Sequence, residues 1–528
     1  MFVNVFTKEL RLMKRAAGVL MPVFSLPSKY GIGCFDGAAY EFVDWLVEAG
    51  QTYWQILPLG PTAYGDSPYQ AYSTFAGNPY FISLTELIKE GVLSAEECDN
   101  ADWGNNPAKV DYEKQATTKM ALLRKAYQNS KIAENEEFRN FVNENHWWLN
   151  DYALFMAVKA RFGGKNWTEW AEDIKLRYSY AMMYYNEQLY FDIEFQKYVQ
   201  FKFFQQWNNL KKYANDKGIK IVGDIPIYVS ADSSDVWANP QLFQLDMNNK
   251  PYAVAGCPPD AFSATGQLWG NPLYRWDYHE QTGYQWWMTR LWASYQMYDV
   301  VRIDHFRGFD EYYSIPATDD TALNGHWEQG PGMKLFNRMN EYLGKKEVIA
   351  EDLGTLTESV VQLVKDSGFP GMKILGFAFY ADDLYGSAYM PHNIEKNSVV
   401  YTGTHDNETI TGWAKGLKEE DLQLVRDYLC DYTTPVEKLY MPMAAMALRT
   451  CADTCIIPLQ DYIGLDNSAR VNVPGTAQGN WGWRLLEGQI PKDLAKQVYA
   501  MTKAFKRLSE SAFAKELKAQ EERRKEAK

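Results

Sequence analysis

Four carboxylates stand directly after short apolar runs: Asp224 in GDIPIY, Asp304 in RIDHFRG, Glu351 in AEDLG and Asp406 in THDNET. Folding does not call for an acid at such a place, and burying one without a partner is costly. A single acid there could cap the next helix, and Asp224 stays open to that reading; four are harder to explain as caps. Arg302 and Asp304 are two residues apart, so on a strand both face the same side. The cation would keep Asp304 ionised and aimed, as a nucleophile requires, although a plain ion pair has the same spacing. Glu351 follows Val-Ile-Ala. Desolvation and neighbouring carboxylates there would raise its pKa and suit it to general-acid work. Two carboxyls about 5–5.5 Å apart would support a retaining double displacement through a covalent glycosyl intermediate. Asp406 would be a third acid, gripping sugar hydroxyls as positive charge develops.

His305 and His405 each adjoin one of these acids. His and Asp also ligate metals, but no H-x-H or H-E-x-x-H spacing occurs, and Arg302 would be repelled from a metal shell. Hydrogen bonds to sugar hydroxyls suit the two histidines better, so no metal or cofactor is expected. Gly31-Ile32-Gly33 is too short for a phosphate loop and follows no strand. No G-x-S-x-G is present to support a serine nucleophile. Two stretches read as binding loops. One is residues 64–70, with Tyr64, Asp66 and Ser67. The other is residues 257–274 (CPPDAFSATGQLWGNPLY), with Asp260, Phe262 and Trp269. Aromatic loops of this kind can close over a saccharide and exclude water.

Residues like these need rigid elements beneath them. Eight short β-rich runs ending in polar turns are visible: residues 51–60, 78–84, 219–229, 298–304, 347–352, 371–379, 398–404 and 454–460. Helical patterns at 37–49, 336–343 and 356–366 alternate with them. That alternation predicts an α/β fold of βα units around a parallel sheet, with eight strands pointing to a (β/α)8 TIM barrel whose chemistry sits at the C-terminal rim. The uneven spacing locates the additions. Residues 85–218, rich in Glu, Lys, Trp and Tyr, read as a helical insertion. Residues 230–297 read as an irregular insertion carrying an active-site loop. Residues 508–528 read as a charged helical tail, solvated or paired as a coiled coil. The whole chain is thus expected to be one elaborated catalytic domain.

Composition narrows the partners. The 528 residues carry a net charge of −13, which argues against nucleic acid and anionic membrane surfaces. The 18 Trp, 36 Tyr and 26 Phe supply flat faces of the kind that stack on sugar rings. Six scattered cysteines are too few for a disulfide scaffold, and the lone Cys451-x3-Cys455 pair reads as buried thiols. Residues 16–24 are too short for a signal segment and contain Pro22. No apolar run approaches a membrane span, so a cytoplasmic protein is expected.

In the segments GPTAYGDSPYQ, GNPYFISL, GDIPIYVS, PPDAFSATGQLWGNPLY, VRIDHFRG, AEDLG, THDN, RVNVPGT and NWGWR, the sequence closely resembles the 4-α-glucanotransferases of glycoside hydrolase family 77, in the α-amylase clan. The matches run from about residue 18 to residue 484. The resemblance implies transfer of α-1,4-glucan segments between maltooligosaccharides or amylose. Asp304 would be the nucleophile, Glu351 the acid/base and Asp406 the transition-state stabiliser. It also implies Arg302, His305 and His405 as partners around the cleaved bond. Asp224, Asn472 and Pro474 would be further pocket positions, residues 258–269 a segment arching over the glucan, and Tyr64 part of a remote aromatic glucan site. Residue spacing by itself reaches a glycosidase-type barrel and does not separate transfer from hydrolysis. An α-amylase-type hydrolase and a non-catalytic glucan-binding protein are the rival readings. Oligomeric state is not legible.

Overall fold

The computed structural model describes residues 15–259, 263–354, 356–476 and 478–526. Eight parallel strands close into a barrel, in the order β1-β12-β11-β10-β9-β6-β3-β2. They are β1 (Ala16–Leu20), β2 (Tyr53–Gln55), β3 (Lys220–Pro226), β6 (Val300–Asp304), β9 (Val348–Ala350), β10 (Gly371–Ile374), β11 (Ser398–Tyr401) and β12 (Thr454–Pro458). Leu20, Val222, Val300, Ile349, Met372, Val399 and Ile456 fill the lumen as one apolar cluster. The alternate residues, such as Val301 and Ile303, join the larger core beneath the surrounding helices. This is the two-faced burial that parallel barrel strands require.

Two of the expected elements differ. Residues 16–20 (AAGVL), outside the eight expected runs, are the first barrel strand, fully buried. Residues 78–84 are not a strand. Asn78 caps a 3-10 turn over Pro79–Phe81, with its side chain accepting from the Tyr80 N–H, and Ser83 caps the helix Leu84–Lys89. Two glutamines of the helix Tyr190–Asp216 hold this segment where a neighbouring strand would otherwise do so. Gln200 bonds both the N–H (2.7 Å) and the carbonyl (2.9 Å) of Gly77. Gln206 does the same for Ser83 at 2.7 and 3.3 Å. Gly77 has to be glycine because a Cβ there would lie 2.1 Å from the Phe203 ring.

Between β2 and β3 the chain is helical, dominated by the packed pair Glu136–Arg161 and Tyr190–Asp216. After β3 it is more regular than expected: β4 (Ala253–Cys257) and β5 (Gln267–Pro272) form half of an antiparallel sheet. The other half, β7 (Glu311–Pro316) and β8 (His326–Gln329), follows β6, in the order β5-β4-β7-β8. β7 and β8 fall outside the eight expected runs. Cys455 is buried in β12, whereas Cys451 is exposed rather than buried as expected. A charged helix, Glu510–Glu526, ends the described chain, tied back by Tyr499 and Lys503 to Glu516. Just before it, the buried Arg507 donates to the carbonyls of Ala16, Leu448, Thr450, Ala452 and Asp453, clamping the seam where β12 meets β1. Among the described residues no helix is long and apolar enough to cross a membrane.

Candidate active site

Register decides which acids meet. β3 pairs with β6 so that Asp224 lies beside Arg302 and Pro226 beside Asp304. Arg302, 2% exposed, points inward with Val300 and Asp304. Its guanidinium binds Asp224 Oδ2 at 2.6 Å and Asp304 Oδ1 at 3.0 Å. One buried cation therefore orients acids from two strands, and Asp224 is an ion-pair partner rather than a helix cap.

Glu351 is placed by backbone. Its own N–H donates to the Ile303 carbonyl. Its carboxylate accepts from the N–H of His305 at 2.7 Å and of Leu353 at 2.9 Å. His305 reaches Glu351 through a left-handed turn, φ 53°, a conformation that costs a non-glycine residue on the order of 1 kcal/mol. That turn links the residue after Asp304 directly to the second acid.

Burial pushes the Glu351 carboxyl up, against Arg302 and the two N–H donors. Burial also pushes Asp304 well up, helped by the charges of Glu351, Asp224 and Asp406 and opposed by Arg302. Arg302 is therefore not the only influence on Asp304: desolvation and three nearby acids work against the cation. The two carboxyls form a coupled pair.

On the far side, Tyr69 joins the chain of polar groups. Its hydroxyl donates to Asp224 Oδ2 at 2.8 Å and sits 3.0 Å from His405 Nε2. Its only hydrogen is used on Asp224, so the fitting tautomer of His405 carries its proton on Nε2. His405 Nε2 is also 3.3 Å from Asp406. Asp406 Oδ1 accepts from Asn472 Nδ2 at 2.6 Å. Arg470 bonds the carbonyls of Asp406 and Asn472, fixing the two loops together. Beneath them, Asp461 accepts from Thr402 and from the Ile410 N–H, bracketing the turn that carries His405 and Asp406. Burial lowers both histidines, His305 to about 3 with help from Arg307, so both rings are neutral. His305 packs edge-on against Trp269 at 4.8 Å. His305 Nε2 and His405 Nδ1 have no partner among the described residues.

These groups surround a cavity of about 350 Å3 lined by Asp304, His305, His405, Asp406, Ser67, Trp269, Asn472 and Pro474, together with Tyr69, Tyr228 and Trp481. Arg302, Asp224 and Glu351 are not among its lining residues. Asp66 is not among the lining residues; burial raises its carboxyl. Tyr64 begins the 3-10 turn Tyr64–Asp66, and Asp260 and Phe262 lie outside the described residues. Tyr69, Tyr228, Arg470 and Trp481 were not singled out from sequence. Tyr69 and Trp481 stand inside quoted segments, but nothing in the spacing marks them. Among the described residues no group of three His, Cys, Asp or Glu could hold a metal ion.

The sequence profile of a family described as 4-alpha-glucanotransferase matches residues 21–489. The chain belongs to the 4-alpha-glucanotransferase family. The Clostridium butyricum 4-alpha-glucanotransferase is 48% identical over 490 residues, covering 92% of this chain and all of the relative. The Thermus thermophilus 4-alpha-glucanotransferase is 43% identical, covering 94% of this chain and all of the relative. The solved structure of the Streptococcus agalactiae amylomaltase in complex with acarbose superposes with a TM-score of 0.91 at 41% identity, covering 94% of this chain and all of that one. At the strand ends of this barrel Asp304, Asp406 and two neutral imidazoles face one cleft, with Glu351 bound to the backbone N–H of His305.

Proposed function

We propose that this 4-alpha-glucanotransferase moves α-1,4-glucan segments by retaining double displacement. Glu351 holds the proton of the coupled pair. Asp304, in contact with Arg302 and with 28% of its side chain open to the cleft, carries the negative charge. Glu351 protonates the glycosidic oxygen while Asp304 attacks the anomeric carbon; the C–O bond breaks and the reducing-side fragment leaves with the proton. The 4-hydroxyl of a second glucan then loses its proton to Glu351 and attacks the same carbon. Asp304 is released and the starting configuration restored. Asp406, aimed by Asn472, accepts hydrogen bonds from the hydroxyls of the reacting sugar as its ring gains positive charge. The neutral histidines, with Tyr69, hold the hydroxyls around it. No step calls for a cofactor.

The observation that carries this reading is the His305 turn: one residue after Asp304, the backbone N–H binds the Glu351 carboxylate. This bond supports pairing Glu351 with the Asp304 that faces the cleft. We read residues 85–218 and 230–297 as insertions in one catalytic barrel, with 508–528 a tail, and the sparse cysteines as fitting a cytoplasmic enzyme.

Incubation with maltotriose tests the proposal. A ladder of longer glucans plus glucose, at constant total reducing ends, is expected. Rising reducing ends without longer products would make the chain a hydrolase. Asp304→Asn should abolish the ladder, and a variant retaining most of the activity would remove Asp304 from the nucleophile's role.

A further inference from the structure

Outside the catalytic cleft, a cavity of about 370 Å3 opens between the helices Glu136–Arg161, Tyr190–Asp216 and Gln285–Met297. Trp147 and Trp292 stand at its mouth, 38% and 44% exposed, with ring centroids 6.4 Å apart and planes 58° from parallel. Phe75 packs edge-on beneath Trp147 at 4.9 Å and holds it in place. On the other side of Trp147 and Phe75 lies a second hollow of about 320 Å3. Trp147 is thus a ridge between two adjoining depressions, each within or near the range of small-ligand sites, about 300–1,000 Å3.

Apart from the buried Arg290, the polar groups here are neutral or acidic, among them Asn145, Asn208, Gln296 and Glu144 around the first hollow and Thr289 and Asn239 in the second. No cationic cluster serves a phosphate or a polyanion. Three buried atoms in these walls have no partner among the described residues: Asp224 Oδ1 and Arg290 Nε in the first hollow, Trp286 Nε1 in the second. Acceptor and donors at the floor, amides at the rim and indole faces at the mouth match a polyol with apolar ring faces. The site also adjoins the catalytic cleft, since Tyr69, Pro226 and Tyr228 line both cavities. Its floor is the unpaired oxygen of the same Asp224 that holds Arg302.

We propose that this paired hollow is a second saccharide site, taking consecutive units of an α-1,4-glucan across Trp147 and Trp292. The tilt between the rings suits a coiling α-linked chain, whose successive ring faces turn, better than a flat β-linked one. The proposal rests on the glucan-transfer reading and extends it to a second point of attachment on the same substrate.

Calorimetric titration of the full-length Asp304→Asn protein with maltoheptaose tests it without turnover. Trp292→Ala and Trp147→Ala, each placed in that background, should each bind one equivalent fewer per chain. Unchanged circular dichroism and unfolding midpoint would show that the fold is intact. Stoichiometry equal to the parent's in both variants overturns the proposal, as does equal binding of cellohexaose at the site. An Asp304→Asn protein that binds no maltoheptaose, together with an unsubstituted enzyme that makes no ladder from maltotriose, overturns the transfer reading, and this site with it.

Discussion

Replacing Asp224 by Asn keeps the shape of the catalytic floor and removes one charge. Arg302 is 2% exposed and held by two carboxylates, at 2.6 and 3.0 Å. Removing one partner of a buried pair costs about 3–5 kcal/mol, and the surviving Asp304 contact favours the lower end. The unfolding entropy of 528 residues is about 1.1 kcal/mol/K. The unfolding midpoint should therefore fall by about 3–5 °C, measured by calorimetry at one fixed scan rate. Activity adds an independent sign. The Asp224 charge raises the Asp304 carboxyl and Arg302 lowers it. In the variant Arg302 acts on Asp304 alone, so Asp304 loses its proton at lower pH. The acid limb of the kcat profile for maltotriose disproportionation should then shift to lower pH. A midpoint within about 1 °C of the parent, together with an acid limb that stays put or moves up, would refute the reasoning.

Asn472→Ala deletes the 2.6 Å bond to Asp406. A hydrogen bond to a charged group contributes about 1.5–3 kcal/mol, so kcat should fall about 10- to 150-fold; steady-state kinetics showing a change in KM alone would contradict it. Gly223→Ala puts a Cβ 2.1 Å from the Tyr298 ring, and overpacking of about 1–3 kcal/mol should lower the unfolding midpoint by about 1–3 °C; a stability equal to the parent's would mean that Tyr298 moves freely. Burial raises Asp235 to about 6, so the folded state holds that proton longer than the unfolded chain. Its contribution to stability falls as pH rises from about 4 to about 6. Asp235→Asn keeps an acceptor for the Thr74 N–H and should stabilise the protein above pH about 6, by up to about 3 kcal/mol. Equal gains at acid and neutral pH, read by denaturant unfolding, would rule this out.

The barrel was legible where apolar runs ended in acids, because burial on both faces and chemistry at the rim leave a strong local mark. AAGVL escaped notice because five small or branched residues without a polar turn look like nothing in particular; only its neighbours β2 and β12 make it a strand. NPYFISL alternates like a strand, yet Pro79 and two glutamines some 120 residues away in the chain decide its backbone. The acids and histidines showed as residue types, and Arg302 through its spacing from Asp304. Tyr69 did not, because its importance lies in touching Asp224 and His405 at once, which no local pattern encodes. The upward push on the Asp304 carboxyl is hidden for the same reason: three acids converge on it from other strands.

Arg507 reaches the Ala16 carbonyl across 491 residues of chain. A ribosome adding about 5–20 residues per second takes roughly 25–100 s to cover that distance. For most of that interval β1 exists without β12 (Thr454–Pro458), and the nascent barrel presents an open, apolar strand edge of the kind that templates aggregation. Closure of the seam is therefore among the last events of biogenesis: truncation before β12 leaves a sheet with a live edge, and truncation before Arg507 leaves the seam without its clamp.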